Sequence, residues 1–165
     1  MKHIGEKLEG KNVALISAHD DDHATHINAI AAGHDVGALF HELVLTRGTA
    51  STHNFNRPAG WVAEGNRPTE GRAAAAYLGL VSIKHLDYPD GAVAEHIPEA
   101  VPLVQEWMRE RKIEAVLTLG GLEDHGDHRA SAQIGRLAAI GLMAEEQRRI
   151  DILEVMHKGG GEWMA

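Results

Sequence analysis

The sequence predicts an α/β fold in which a mostly parallel sheet is covered by helices on both faces. Short apolar segments alternate with longer amphipathic ones along the chain, which is the pattern of parallel strands joined by helical crossovers. The short segments are largely apolar throughout rather than at every second residue, as expected of strands buried on both faces. A length of 165 residues, with 44% apolar and 24% charged residues, fits a single globular domain.

Five short apolar segments bounded by polar residues are predicted to be the strands. The first reads NVALISA and the fourth reads AVLTL, and neither contains a charged residue. Segments of this length and composition are typical of buried strands. The predicted strands cover residues 12–18, 40–46, 82–86, 115–119 and 150–156.

Four helices are predicted between these strands. The second ends before Gly79, because glycine readily adopts the left-handed backbone that terminates helices. The last has Ile134, Leu137 and Leu142 in helical phase. The polar segment 49–66 precedes the second helix, and a loop of that length is usually functional or mobile. The predicted helices cover residues 24–38, 67–78, 98–112 and 128–147.

The composition restricts the classes of partner and site. A net charge of −8 argues against nucleic acid as the main partner, because phosphate binding needs clustered Lys and Arg. No apolar run reaches the roughly 18 residues of a membrane span. The start of the chain lacks the apolar core of a signal peptide, so we expect a cytoplasmic protein. With 12 His and no Cys, the available metal ligands are imidazole and carboxylate.

Two clusters of His and Asp each follow a predicted strand. AHDDDH occupies residues 18–23 after the first strand, and HGDH occupies residues 125–128 after the fourth. Ligands bind beyond the carboxyl ends of the strands in folds of this class. Three adjacent carboxylates repel one another, and a divalent cation would offset that repulsion. An acidic turn that merely caps the next helix is the structural alternative.

The two clusters together contain the donors of an open metal site. His19, Asp22 and His128 supply two imidazoles and one carboxylate, and the nitrogen donors favour zinc over magnesium. A neighbouring carboxylate would deprotonate the metal-bound water. A second imidazole, oriented by Asp127, would polarise a carbonyl or protonate a leaving group. This set of residues indicates metal-assisted hydrolysis of an amide or ester.

At these residues the chain resembles the LmbE/PIG-L family of zinc-dependent N-acetylglucosamine deacetylases. AHDDDH stands where the family has AHPDD followed by an acidic residue, and HGDH stands where it has HPDH. Three weaker blocks follow in the family's order: LTRG at 45–48, a helix of the form R..E...A...LG over 67–79, and YPDG at 88–91. The resemblance covers about residues 11–140 and implies a Rossmann-like three-layer domain.

The resemblance also implies a role for each motif residue. His19, Asp22 and His128 would bind zinc. Asp21 would be the general base that deprotonates the zinc-bound water. His125 would stabilise the oxyanion or act as the acid.

Further roles concern orientation and substrate. Asp127 would hold the ring of His125, and Arg67 and Asp90 would contact the sugar hydroxyls. Trp61 in the long loop is a candidate for stacking on a sugar ring, with a structural anchor of the loop as the equal alternative.

The chain departs from the family pattern at three motif positions. Asp20 replaces a proline and adds a charge, and Gly126 replaces a proline and loosens the second motif. His23 replaces an acidic residue, which places beside the ligands an imidazole that is either cationic or a competing ligand. Family members commonly run longer at the C-terminus, so we expect a wider substrate site or a homo-oligomer in which a second subunit completes it.

The sequence therefore predicts a hydrolase that removes the acetyl group from an N-acetylglucosamine-type conjugate by attack of zinc-bound water. One alternative is a two-metal phosphoesterase built on Asp20, Asp21 and Asp22. A non-haem iron oxygenase is a second, because two His and one carboxylate also form its ligand set. A non-catalytic relative that binds metal or sugar is the third.

Overall fold

A six-stranded sheet forms the middle layer of the protein. The computed structural model describes residues 4–49, 63–120, 124–158 and 162–164. In this part of the chain the strand order is β3-β2-β1-β4-β5-β6, with the first five parallel and the last antiparallel to its neighbour. The strands are β1 (Asn12–Ser17), β2 (Leu39–Thr46), β3 (Ser82–Tyr88), β4 (Ala115–Leu119), β5 (Asp151–Lys158) and β6 (Glu162–Met164).

Helices connect the parallel strands. Two short 3₁₀ helices, Asp22–His26 and Val93–His96, each run directly into an α-helix. The α-helices are α1 (Ile4–Leu8), α2 (Ile27–His34), α3 (Ala63–Tyr77), α4 (Ile97–Glu110) and α5 (Gly126–Glu146).

Two apolar cores lie on opposite faces of the sheet. Within β1, Ala14 and Ile16 belong to the core that α4 and α5 cover, whereas Val13 and Leu15 belong to the core next to α1 and α2. All four side chains are fully buried. Because successive side chains of a strand point to opposite faces, a strand buried on both sides must be apolar throughout. This explains why β1 shows no alternation of apolar and polar residues.

The topology confirms the predicted α/β fold with a mostly parallel sheet, and all five predicted strands are present. The second helix begins at Ala63 rather than 67 and contains Pro68, so the end of the predicted polar loop is helical. The first predicted helix, 24–38, begins within the 3₁₀ helix Asp22–His26, and its α-helical part ends at His34. The sequence did not predict α1 or β6, which have five and three residues, too few for a periodic pattern. No helix in the described ranges is long and apolar enough to cross a bilayer.

The strand order reverses between the parallel strands β1 and β4, because successive strands are added first on one side of β1 and then on the other. From β1 the first half of the chain adds β2 and β3 on one side, and the second half returns to add β4 and β5 on the other. At such a switch point the loops after two neighbouring strands diverge and leave a crevice at their carboxyl ends. The two His and Asp clusters follow β1 and β4, so the fold brings them to the same crevice.

Gly33 in α2 permits close contact between this helix and β2. A Cβ at this position would lie 2.5 Å from Cζ and 2.7 Å from Cε2 of Phe40, a fully buried ring. We predict that Gly33→Ala destabilises the protein by about 1–2 kcal/mol, because overpacking outweighs the gain in helix propensity. Urea denaturation measures the change.

Gly141→Ala is the matched control for this substitution. Its Cβ would meet only the amide end of Gln105, which can move aside. This variant should be as stable as the parent or more stable by up to about 1 kcal/mol. Equal stability of the two variants would contradict the packing argument.

Candidate metal centre

The two motifs meet where β1 and β4 end. Residues 18–23 leave β1 and enter the first 3₁₀ helix, and His125 is the N-cap of α5. The backbone amide and the hydroxyl of Thr46 both donate to the carbonyl oxygen of Ala18, at 3.0 and 2.8 Å. This contact ties the start of the first motif to the end of β2.

Three imidazoles converge in the crevice. His19, His125 and His128 each offer a ring nitrogen, and these nitrogens lie within 4.8 Å of one another. Their ring centroids are 5.0 Å apart for His19 and His125, 5.4 Å for His19 and His128, and 4.8 Å for His125 and His128. Side chains separated by more than 100 positions in sequence therefore share one site.

The carboxylate of Asp22 lies at the base of this cluster and is almost completely buried. Its Oδ2 accepts hydrogen bonds from the amides of Ala18 and His19, at 2.7 and 3.0 Å. Its Oδ1 lies 3.2 Å from Nε2 of His128 and 3.9 Å from Nδ1 of His19. Burial opposes ionisation, but the two imidazoles outweigh it and hold the pKa of Asp22 well below its usual range.

This donor set fits a zinc ion. Two ligands of a tetrahedral zinc are about 3.4 Å apart when each metal–ligand bond is about 2.1 Å. The distance of 3.2 Å between Asp22 and His128 is close to that value. Nδ1 of His19 lies 3.9 Å from the same carboxylate oxygen of Asp22, and His125 completes the cluster of three imidazoles. The predicted ligands His19, Asp22 and His128 are thus brought together.

Asp127 departs from its predicted position. The sequence predicted that its carboxylate holds the ring of His125, but Oδ2 lies 3.3 Å from Nε2 of His19 instead. The same carboxylate accepts hydrogen bonds from the amides of Gly91 and Val93, at 2.7 and 3.2 Å. Those two amides precede α4 and draw the side chain away from His125. The contact that the structure shows between Asp127 and His125 is made by the backbone amide of Asp127, which donates to Nδ1 at 3.3 Å.

The predicted base and substrate residues lie at the rim of the crevice. The side chain of Asp21 is 65% exposed, and its Oδ2 lies 3.5 Å from the guanidinium of Arg67. Asp90 accepts a hydrogen bond from the amide of Gly48 at 3.1 Å. Trp61, the predicted stacking residue, lies outside the described residues.

Two of the residues that replace family motif positions, Asp20 and His23, have side-chain partners outside the imidazole cluster. The carboxylate of Asp20 forms a hydrogen bond with Nε2 of His85 on β3. Nδ1 of His23 lies 3.2 Å from Glu42 on β2, and burial is outweighed by this carboxylate, which raises the pKa of His23. Ser17 donates to the other oxygen of Glu42 at 2.7 Å. His23 is therefore turned away from the metal-binding cluster.

The three adjacent carboxylates point in different directions. Asp20 contacts His85, Asp21 contacts Arg67, and Asp22 contacts the two imidazoles of the cluster. They do not converge on a common point, which removes the basis for a second metal ion on this turn. The geometry thus disfavours the two-metal alternative.

Three polar residues beside the site were not among the predicted site residues: Glu42, His85 and His26. Glu42 is a charged residue within an apolar strand, and that break in an otherwise apolar segment is the signal that would have identified it. His85 lies within a predicted strand without a neighbouring ligand residue, and no local pattern marks it. His26 is fully buried, and neither of its ring nitrogens has a hydrogen-bond partner within the described structure.

A comparison with protein-family models matches residues 14–139 to the PIG-L model, described as GlcNAc-PI de-N-acetylase. The matched region begins within β1 and ends within α5, so it contains both His and Asp clusters. A sequence search of curated proteins found no match.

Solved structures share the fold at low sequence identity. A conserved protein from Thermus thermophilus has 20% identity and a TM-score of 0.69, over 93% of this chain and 69% of its own. The N,N'-diacetylchitobiose deacetylase from Pyrococcus horikoshii has 18% identity and a TM-score of 0.68, over 88% of this chain and 59% of its own. GalB, the 4-carboxy-2-hydroxymuconate hydratase from Pseudomonas putida, has 21% identity and a TM-score of 0.67, over 88% of this chain and 64% of its own.

These similarities establish a common architecture but not a common reaction. One of the three proteins is named as a deacetylase and another as a hydratase. The chain spans between 59% and 69% of the length of these proteins.

The buried imidazole of His26 makes stability sensitive to acid. Burial lowers the pKa of His26 to about 4, whereas the imidazole of an unfolded chain titrates near 6.5. Between these values the unfolded state binds a proton that the native state does not, so stability falls as the pH falls below 6.5. We predict that His26 contributes about 2 kcal/mol of the stability lost between pH 7 and pH 5.

Urea denaturation of the parent and of His26→Leu at both pH values tests this prediction in the presence of a chelator. The variant should be at least as stable at pH 7, because an apolar side chain replaces two nitrogens that have no hydrogen-bond partner among the described residues. It should lose less stability on acidification than the parent. Equal losses in the two proteins would show that His26 binds a proton as readily in the native state as in the unfolded state, and would contradict the prediction.

Proposed function

The chain belongs to the PIG-L family of GlcNAc-PI de-N-acetylases, and we propose that it is a zinc-dependent hydrolase that removes the acetyl group from an N-acetylglucosamine-type conjugate. The observation that carries this proposal is the convergence of His19, Asp22 and His128 from two distant segments. A shared fold alone would not decide it, because a hydratase has the same architecture. The motif residues and their geometry support hydrolysis specifically.

We assign His19, Asp22 and His128 as the zinc ligands. The backbone amides that hold Oδ2 of Asp22 leave Oδ1 to face the two imidazoles, so one oxygen is positioned by the fold and the other is directed at the cluster. When bound there, zinc would supply a more acidic water and polarise the acetyl carbonyl. The carboxylate of Asp127 against Nε2 of His19 would stabilise the position of that ring.

Asp21 is assigned as the general base. Its carboxylate is exposed at the rim of the crevice, one residue from Asp22, and is therefore accessible to water and substrate. It would take one proton from the attacking water and return a proton to the amine as the C–N bond breaks. The products are acetate and the free amino sugar, so one water is consumed for each acetyl group released.

His125 is assigned as the donor that stabilises the oxyanion. Its Nδ1 accepts a hydrogen bond from the amide of Asp127, so the proton of the neutral ring resides on Nε2. The N–H at Nε2 can then donate to an oxygen that gains negative charge in the crevice. The N-cap of α5 thus sets the tautomer that the reaction requires, in the role that the carboxylate of Asp127 was expected to fill.

Arg67 and Asp90 are assigned to the sugar. Both lie beside Gly48: the amide of this residue donates to Asp90, and a Cβ on it would lie 3.8 Å from Nε of Arg67. They present a cationic donor and an anionic acceptor on the same side of the crevice as Asp21. Paired donors and acceptors of this kind suit vicinal hydroxyl groups.

The first test is metal binding. We predict that His19→Ala weakens zinc binding by more than about 100-fold, beyond the 10–100-fold typical of residues outside the ligand shell. His34→Ala, at the far end of α2, is the matched control and should bind zinc as the parent does. Titration of the chelator-treated proteins with zinc and with Fe(II), followed by elemental analysis, gives the affinities. Equal zinc affinity of His19→Ala and the parent would remove His19 from the ligand set.

The second test is acetate release from a series of N-acetylglucosamine conjugates. Asp21→Asn should retain zinc but lose about 10²–10⁴-fold in kcat, the range attributed to a general base. Asp35→Asn, an Asp at the end of α2, is the control and should keep the parent rate. A parent protein that binds zinc and sugar but releases no acetate would favour the non-catalytic alternative. Turnover by Asp21→Asn at the parent rate would exclude Asp21 as the base.

A further inference from the structure

Asp20 occupies the position where the related motif has proline, and its carboxylate is 4% exposed. Oδ1 bonds to Nε2 of His85 on β3. Oδ2 is also buried but has no hydrogen-bond partner within the described ranges. A buried carboxylate oxygen without a partner is costly, so it points to a role beyond packing.

Asp20 lies directly against the backbone of α3. A Cβ at Gly71 would lie 2.8 Å from Cγ of Asp20, a distance that real Cβ atoms do not show. The helix can approach the carboxylate only because residue 71 has no side chain. Asp20, Gly71 and His85 therefore form one contact that joins the first motif, α3 and β3.

Arg67 lies one helical turn before Gly71, on the same side of α3. Its Nε is buried and, like Oδ2 of Asp20, has no hydrogen-bond partner among the described residues. Both atoms lie next to Gly48: a Cβ on this residue would be 3.8 Å from Nε of Arg67 and 4.0 Å from Oδ2 of Asp20. A cation whose Nε is buried and a buried anion, each with one hydrogen-bonding atom that has no partner among the described residues, thus lie next to the same glycine.

We propose that Asp20 is a positioning residue that keeps Arg67 directed at Asp21 and the substrate. Its bond to His85 and its contact with Gly71 fix the position of α3. Its second oxygen supplies the negative charge that holds the Arg67 side chain in the crevice, where the guanidinium reaches Asp21 at 3.5 Å. Burial of Asp20 and of Nε of Arg67 strengthens the electrostatic attraction between the two groups relative to water. The kinetic consequence rests on the proposed deacetylase function, but the structural one does not.

The kinetic test is a double-mutant cycle between Asp20 and Arg67. Asp20→Asn keeps the size of the side chain and removes its charge, and we expect kcat/KM to fall about tenfold, mainly through KM. In an Arg67→Ala background the same substitution should change kcat/KM less than about twofold. Losses that multiply in the double variant would show that Asp20 acts independently of Arg67 and would overturn the proposal.

The matched control is Asp151→Asn. Asp151 also pairs with a cation, Lys11 at 2.6 Å, but lies at the opposite end of the sheet. Its loss should leave kcat/KM unchanged, and an equal fall in this variant would mean that any lost ion pair slows the enzyme. If Asp20→Asn does not fold, His85→Gln removes the other half of the contact and should show the same dependence on Arg67.

A second readout is independent of activity. The Nε–H of Arg67 is buried, so its proton should exchange slowly with solvent in ¹⁵N-resolved NMR spectra of the zinc-loaded protein. Asp20→Asn should accelerate this exchange about tenfold or more, while zinc affinity stays within about twofold of the parent. Unchanged exchange would overturn the proposal. Accelerated exchange in a protein that releases no acetate would uphold the positioning role and reject the proposed function.

Discussion

The site depends on one buried carboxylate. Asp22 is removed from water at the end of β1, and an isolated ion there would be strongly unfavourable. Two backbone amides of the same turn and two imidazoles from separate segments compensate it. Because one of those imidazoles belongs to α5, the carboxylate holds the turn after β1 against the helix that follows β4.

The residues next to Asp22 in this turn also pair with side chains from other parts of the fold. Each of five consecutive side chains has a partner of opposite polarity on a different part of the fold. The pairs are His19 with Asp127, Asp20 with His85, Asp21 with Arg67, Asp22 with His128, and His23 with Glu42. The partners lie on four different elements, α3, α5, β2 and β3. The repulsion expected among three adjacent carboxylates is therefore offset by these pairs, which connect the turn to α3, α5, β2 and β3.

Sequence reasoning predicted the sheet and the meeting of the two motifs, because both follow from periodicity and from the rule that parallel strands end at one edge. It did not predict that Asp127 turns toward His19, since the deciding groups are the amides of Gly91 and Val93, about 35 positions away. Buried partners such as Glu42 were missed for a related reason. Their role depends on which strand lies beside which, and a single sequence does not encode that locally.

The two departures in the first motif compensate one another in charge. The family pattern has an acidic residue at the position of His23 and none at the position of Asp20, whereas this chain has the reverse, so the number of carboxylates in the turn is unchanged. In this chain the substituted carboxylate, Asp20, faces β3, and the substituted imidazole, His23, faces β2. Glu42 on β2 and His85 on β3 match the new arrangement. Because Asp20 and His23 are held by partners on β3 and β2, neither side chain competes with Asp22 for the imidazoles of His19 and His128.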